Sequence, residues 1–107
     1  MRHIKLCDIS PEPVSHDPEL KKQVLLRQLG LLQGLSRALL GEGSEASEHA
    51  HPGAYEVLYL IRGRVEFTVE GRTLMLGPQE LLVLEPGERH SLRVLQEAEF
   101  LYFKLPA

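Results

Sequence analysis

The chain has 107 residues, 43% hydrophobic and 25% charged, with a formal net charge of -3. That length gives one domain around a single core, and a mildly acidic balance with no basic cluster excludes a nucleic-acid surface. The longest apolar runs are too short to cross a bilayer and the start, MRHIKLCDIS, lacks a signal-peptide apolar core; the expected setting is the cytoplasm, without membrane partners.

Residues 3–9, HIKLCDI, place Ile4 and Leu6 at alternating positions and predict a short first strand. The single cysteine, Cys7, excludes an internal disulfide and suits a reducing compartment; it reads as a small apolar strand residue rather than a nucleophile. In SPEPVSHDPEL, Pro11, Pro13 and Pro18 forbid regular structure, so residues 1–18 are expected to form a strand and a proline-rich surface arm. His3 and His16 lie there and are expected to face solvent. Residues 19–107 make up the rest of the domain.

ELKKQVLLRQLGLLQGLSRALL, residues 19–40, has leucines at helical spacing, but a helix would carry Gly30 and Gly34 in its interior at about 1 kcal/mol each. The glycines also divide the run into two pieces of strand length. Arg37 in the second piece is a candidate for reaching an anionic substrate, although a solvated charge is the commoner outcome. Gly41 to Glu45 then reads as a turn.

His49 and His51 flank one alanine, and on an extended strand residues at i and i+2 point to the same face. Pro52-Gly53 breaks the strand, and the following run, AYEVLYLIRG, can lay Glu56 beside the two imidazoles. Strand parity turns Leu58 and Leu60 inward with Glu56, and Val57, Tyr59 and Ile61 outward. Gly63 reads as a tight turn, Glu70-Gly71 as the tip of a hairpin within VEFTVEGRTLML, and Gly77-Pro78-Gln79 as another turn. ELLVLE reads as a buried strand. After Pro86-Gly87, His90 opens HSLRVL, with Leu92 and Val94 on its face, and FLYFKL closes the sheet. In that last strand Phe100, Tyr102 and Lys104 share one face; Tyr102 is either packing or a pocket hydrogen-bond donor. Glu66, Glu70 and Glu80 read as solvated. Short strands between frequent turns predict an all-β antiparallel barrel or jelly roll.

His49, His51, Glu56 and His90 form a nitrogen and oxygen donor set suited to a divalent transition metal, with Zn, Fe, Mn, Ni and Cu all admissible. Facing an apolar interior, such groups are costly without a partner, and a bound ion supplies one.

This arrangement resembles the cupin superfamily, in particular its small single-domain members. The first motif of that family, G-x5-H-x-H-x3/4-E-x6-G, is matched by Gly43, His49, His51, Glu56 and Gly63 at every spacing. The second, G-x5-P-x-G-x2-H-x3-N, is matched by Gly87 and His90. Glu85 stands where its first proline belongs, with Pro86 displaced by one, Val94 replaces its asparagine, and Gly77 lies too far upstream for its opening glycine. The resemblance implies a double-stranded β-helix, favours two strands over residues 19–40 joined near Leu29 to Gly34, and implies four side chains around a metal with open positions. An open position is what distinguishes a catalytic site from a closed structural one.

Three functions follow as alternatives. One is a metal-dependent enzyme of isomerase, lyase or dioxygenase type acting on a small carbonyl, enol or sugar-like molecule. Another is a metal- or ligand-binding module without catalysis, a sensor or store. The last is a structural barrel with incidental histidines. The two-sided apolar character of Tyr55 to Ile61 predicts a homodimer.

Overall fold

The structure is a computed structural model and describes all 107 residues. Its strands are β1 (Glu12–Val14), β2 (Asp17–Leu29), β3 (Leu32–Leu40), β4 (Glu45–His49), β5 (Ala54–Val69), β6 (Arg72–Leu76), β7 (Glu80–Leu84) and β8 (His90–Pro106). All pairings are antiparallel, with neighbours in the order β1-β2-β3-β8-β5-β6, β4 joining β8 and β7 joining β5. The all-β jelly roll expected from the turn spacing is the fold observed. No helix is long and apolar enough to cross a membrane.

The frame is the β5–β8 pair, which runs from Ala54↔Pro106 to Val69↔His90. Its register shifts between Leu60 and Val65, where both strands bend. The first half of β5 pairs with β7 and its second half with β6, so one strand serves both walls of the sandwich. Gly63 lies in this bend at φ 97°, and a Cβ there would stand 2.2 Å from the Glu97 carbonyl oxygen. The turn expected at Gly63 is therefore absent. The glycine serves a bulge that re-aims a continuous strand. HSLRVL and FLYFKL are likewise one strand, because β8 bends opposite β5 without breaking.

The helix alternative for residues 19–40 fails: β2 and β3 form a hairpin with Leu29 opposite Leu32 and Gly30 at φ 57°. The second hairpin turns at Glu70 (φ 47°) and Gly71 (φ 76°), between paired Val69 and Arg72. Two positive φ values in a two-residue loop match the right-handed twist of the flanking strands.

Three expectations near the surface are corrected. Residues 3–9 contain a 3-10 turn at Leu6–Asp8 rather than a strand, and Cys7 is exposed within it. The proline-rich arm is regular in part. Glu12 pairs with Lys22 and Pro13 with Lys21, the prolines being tolerated at an edge and at a strand start. ELLVLE is buried on one face only: Leu84 belongs to the core and Leu82 packs against it, while Leu81 is 58% and Val83 45% exposed; β7 pairs with β5 alone.

Parity along β5 is as expected, with Glu56, Leu58 and Leu60 buried and Tyr59 and Ile61 exposed. The core joins Leu58, Leu60 and Phe100 from one wall to Val65, Phe67 and Val94 from the other. It lies between the walls, and the histidines and Glu56 sit toward one end of it.

Candidate metal centre

The four expected residues come from three strands and one loop. His49 is the last residue of β4, His90 the first of β8, and the two are paired in register. Glu56 lies in β5. His51 falls just outside β4, in the loop before Pro52-Gly53. Its carbonyl accepts hydrogen bonds from Ala54 N (3.3 Å) and Gly87 N (3.1 Å). These bonds join the two motif-bearing turns, so the loop position of His51 is fixed by backbone rather than by the strand expected there.

One donor atom from each of His49, His51, Glu56 and His90 lies within 4.8 Å of the others. A single ion bonded to each donor at about 2.1 Å would draw them closer together. His51 Nε2 approaches Glu56 Oε2 to 3.2 Å, and His90 Nε2 approaches Glu56 Oε1 to 3.6 Å. Neither ring nitrogen has a properly directed hydrogen-bond partner although both are buried. Buried polar atoms are normally satisfied, and two orphans aimed at one carboxylate are what a shared cation resolves.

The backbone sets the tautomers. Nδ1 of His49 lies 2.7 Å from the Ser47 carbonyl and Nδ1 of His90 lies 3.0 Å from that of Glu88. An N–H donating to each carbonyl leaves the Nε2 lone pair directed into the cluster, the usual support for a metal-bound imidazole. Burial, opposed by the Glu88 carbonyl and reinforced by the neighbouring His49, lowers the pKa of His90 and favours its neutral ring. Burial also works to raise that of Glu56, but the close His51, with His90 and Lys104 nearby, outweighs it and holds the carboxyl below its usual value. Both shifts favour the forms, neutral imidazole and ionised carboxylate, that a divalent cation requires. The cluster is thus compatible with a metal site, and nothing in the donor set names the metal.

A cavity of about 60 Å³ opens beside it, walled by Leu58, Phe67, Leu92, Phe100 and Tyr102. Its walls follow the expected parity, and they decide the facing of the last strand: Phe100 and Tyr102 look inward. Burial, with the charge of Glu56, pushes the Tyr102 hydroxyl up to about 12, so it remains a donor at neutral pH. Arg37 does not reach the cavity. It lies on the outer face, where Glu99 accepts from its Nε at 2.8 Å and Gln23 from its Nη1 at 2.9 Å.

His16 is exposed, as expected, and in addition stacks on His49, with ring centroids 3.8 Å apart, and lines the same cavity. Asp17 beside it accepts hydrogen bonds from the Ser47 backbone N (3.0 Å) and hydroxyl (3.1 Å), which fastens the arm across β4. No spacing relates residues 16 and 49, so only the fold reveals this contact. A larger and more open recess, near 540 Å³, lies on the other side of Ser47 and is lined by Glu19, Glu45, Glu66 and Arg93. It contains none of the four clustered residues.

Comparisons with known proteins agree with this architecture. A polyketide synthase, CurC, from Streptomyces cyaneus is 32% identical over 62 residues, which is 58% of this chain and 40% of that one. The chain therefore matches less than half the length of that relative. A crystal structure from Thermotoga maritima, described as a predicted oxalate decarboxylase, superposes with a TM-score of 0.87 at 22% identity and covers 99% of this chain and 100% of that one. The polyketide cyclase RemF from Streptomyces resistomycificus superposes with a TM-score of 0.80 at 19% identity, covering 99% and 79%. At such identities these structures establish the fold alone. The model of the cupin domain matches residues 36–103, well over half the sequence, and the chain belongs to the cupin family.

Proposed function

We propose that His49, His51, Glu56 and His90 hold a divalent transition metal, and that the protein binds a small carbonyl or enol-type molecule at a coordination position left open beside it. The observation that carries this reading is the pair of orphaned, buried Nε2 atoms of His51 and His90, 3.2 and 3.6 Å from the Glu56 carboxylate. When bound, the metal supplies a Lewis acid able to polarise a carbonyl or enolate oxygen. The chain's own contribution is to orient the imidazoles through Ser47 and Glu88, to exclude bulk water with Leu58, Phe67 and Phe100, and to offer the Tyr102 hydroxyl as a donor. A cavity of about 60 Å³ limits the ligand to a small molecule. Two of the similar proteins are described as a polyketide synthase and a polyketide cyclase, and polyketides are built of keto and enol groups, which favours oxygen-bearing carbon compounds over other ligands.

We also propose a cytoplasmic homodimer, joined through the outer face of β5 and β7 where Tyr55, Tyr59, Ile61, Leu81 and Val83 are exposed. Residues 1–18 act as an arm on a barrel formed by residues 19–107.

The test is titration of zinc-loaded protein with 2,4-pentanedione, followed by NMR for binding and for any product. Saturable binding in the wild type that is absent from His51→Ala supports the reading, and product formation makes the protein an enzyme. Absence of both binding and turnover for this and related 1,3-dicarbonyls overturns it.

A further inference from the structure

Beside the metal cluster the barrel has a second opening. In β3, Gln33 pairs with Lys104 and Ser36 with Tyr102, so three steps along β3 answer two along β8. The extra residue is a bulge, with Gly34 at φ 65° and no atom within 4 Å of where its Cβ would stand. Bulges at barrel rims commonly interrupt pairing next to a site. Here the interruption leaves a recess of about 140 Å³ lined by Lys22, Gln33, Gly34, Tyr102, Phe103 and Lys104. Tyr102 also lines the apolar cavity and is the residue that the two spaces share.

Both lysines in the recess are half-buried, and neither ammonium has a carboxylate within 4 Å. The carboxylates facing them across the strands are engaged elsewhere. Glu12, opposite Lys22 in the β1–β2 pair, is held by Arg27 at 2.6 Å. Glu56, opposite Lys104 in the β5–β8 pair, belongs to the metal cluster. Two half-buried lysines lining one recess, neither within ion-pair distance of a carboxylate, favour an anion there. Glu56 and Lys104 are cross-strand neighbours with Cα atoms about 5 Å apart, so the recess and the metal cluster lie along the same strand pair.

Resting on the proposed metal site, we infer that Lys22 and Lys104 form an anion subsite and that the ligand class is a small keto acid, its carbonyl toward the metal cluster and its carboxylate toward the two lysines. Tyr102, shared by the two spaces, and the apolar walls pack the connecting carbons. Neutral carbonyl compounds of the same length leave the lysines unpaired and bind more weakly.

The experiment compares 4-oxopentanoate with 5-hydroxypentan-2-one by NMR titration of uniformly labelled protein. Wild type and the Lys22→Gln/Lys104→Gln double variant are each measured zinc-loaded and again after chelation. We expect the keto acid to bind wild type about fivefold more tightly than the keto alcohol, with shifts at the Gln33, Gly34 and Lys104 amides. In the double variant that preference disappears, the two compounds binding with equal affinity. Failure of the metal site alone appears as loss of zinc dependence, with the lysine-dependent preference persisting after chelation. Equal affinities in wild type, or a preference that survives in the double variant, overturns the inference, as does the absence of binding by either compound.

Discussion

The imidazole of His16 lies on that of His49 at a centroid distance of 3.8 Å and an angle of 34° between planes. His16 stands on the N-terminal arm and His49 at the end of β4, so the stack closes one side of the cavity and holds His49 from behind. A residue that packs on a ligand without contributing a donor is expected to tune affinity rather than create it. His16→Ala should keep stoichiometric metal while weakening chelator-competition affinity by no more than about tenfold. Loss of the metal in this variant would make His16 part of the ligand set.

Gly63 is the position least tolerant of a side chain. Gly63→Ala meets the Glu97 carbonyl oxygen at 2.2 Å and the Ala98 Cα at 2.6 Å while holding φ at 97°. Backbone strain and a backbone clash together should cost more than about 3 kcal/mol in urea unfolding. Gly43→Ala shares a positive φ, 87°, but meets no atom within 4 Å, and should cost only about 1–2 kcal/mol. Equal losses in the two variants would show that the β5–β8 bend relaxes freely.

The outer face carries an ion network whose sign with pH is fixed. Arg37 Nη2 lies 2.6 Å and Arg62 Nε 3.3 Å from the Glu99 carboxylate, and the Arg37 hydrogen bond chiefly holds that carboxyl below its usual value. A carboxyl with a depressed folded pKa stabilises the fold fully above its unfolded pKa, about 4.3. The contribution is lost as pH falls through the folded value. The stability deficit of Glu99→Gln relative to wild type should therefore be constant at neutral pH and shrink below about pH 4. A deficit that grows on acidification would contradict the pairing.

Tyr59 is 39% and Leu81 58% exposed, and the two are paired across β5 and β7. If this face joins two chains, light scattering should give twice the 12.1 kDa chain mass. Tyr59→Glu should return it to one, with the thermal transition of the remaining monomer still cooperative. A monomeric wild type at micromolar concentration removes the dimer.

Three of the four clustered residues were legible because their information is local. Pro52-Gly53 returns the chain after His49 and His51, and Glu56 then fixes the parity of Leu58 and Leu60, whereas His90 reaches the cluster through its pairing with His49. Glycine was legible as special but not as to its use: Gly63 and Gly71 look alike in a sequence, yet one serves a bulge inside a strand and the other a hairpin turn. What separates them is the Glu97 backbone, 34 positions away. His16, Asp17 and the Lys22–Lys104 recess were illegible for the same reason, since each depends on register between distant strands. The edge position of β7 was hidden as well, because a continuous apolar run reads as buried whether its second face meets a core or only solvent.

The most direct test is elemental analysis of purified wild type, His51→Ala and His90→Ala, combined with thermal melts before and after metal is added. The account predicts one divalent transition metal per wild-type chain and a melting temperature that rises with metal. It predicts less than about a tenth of that metal in either variant, both still folded as β proteins by circular dichroism. A wild type without stoichiometric metal and without a metal-dependent rise, or full occupancy retained in both variants, would contradict it.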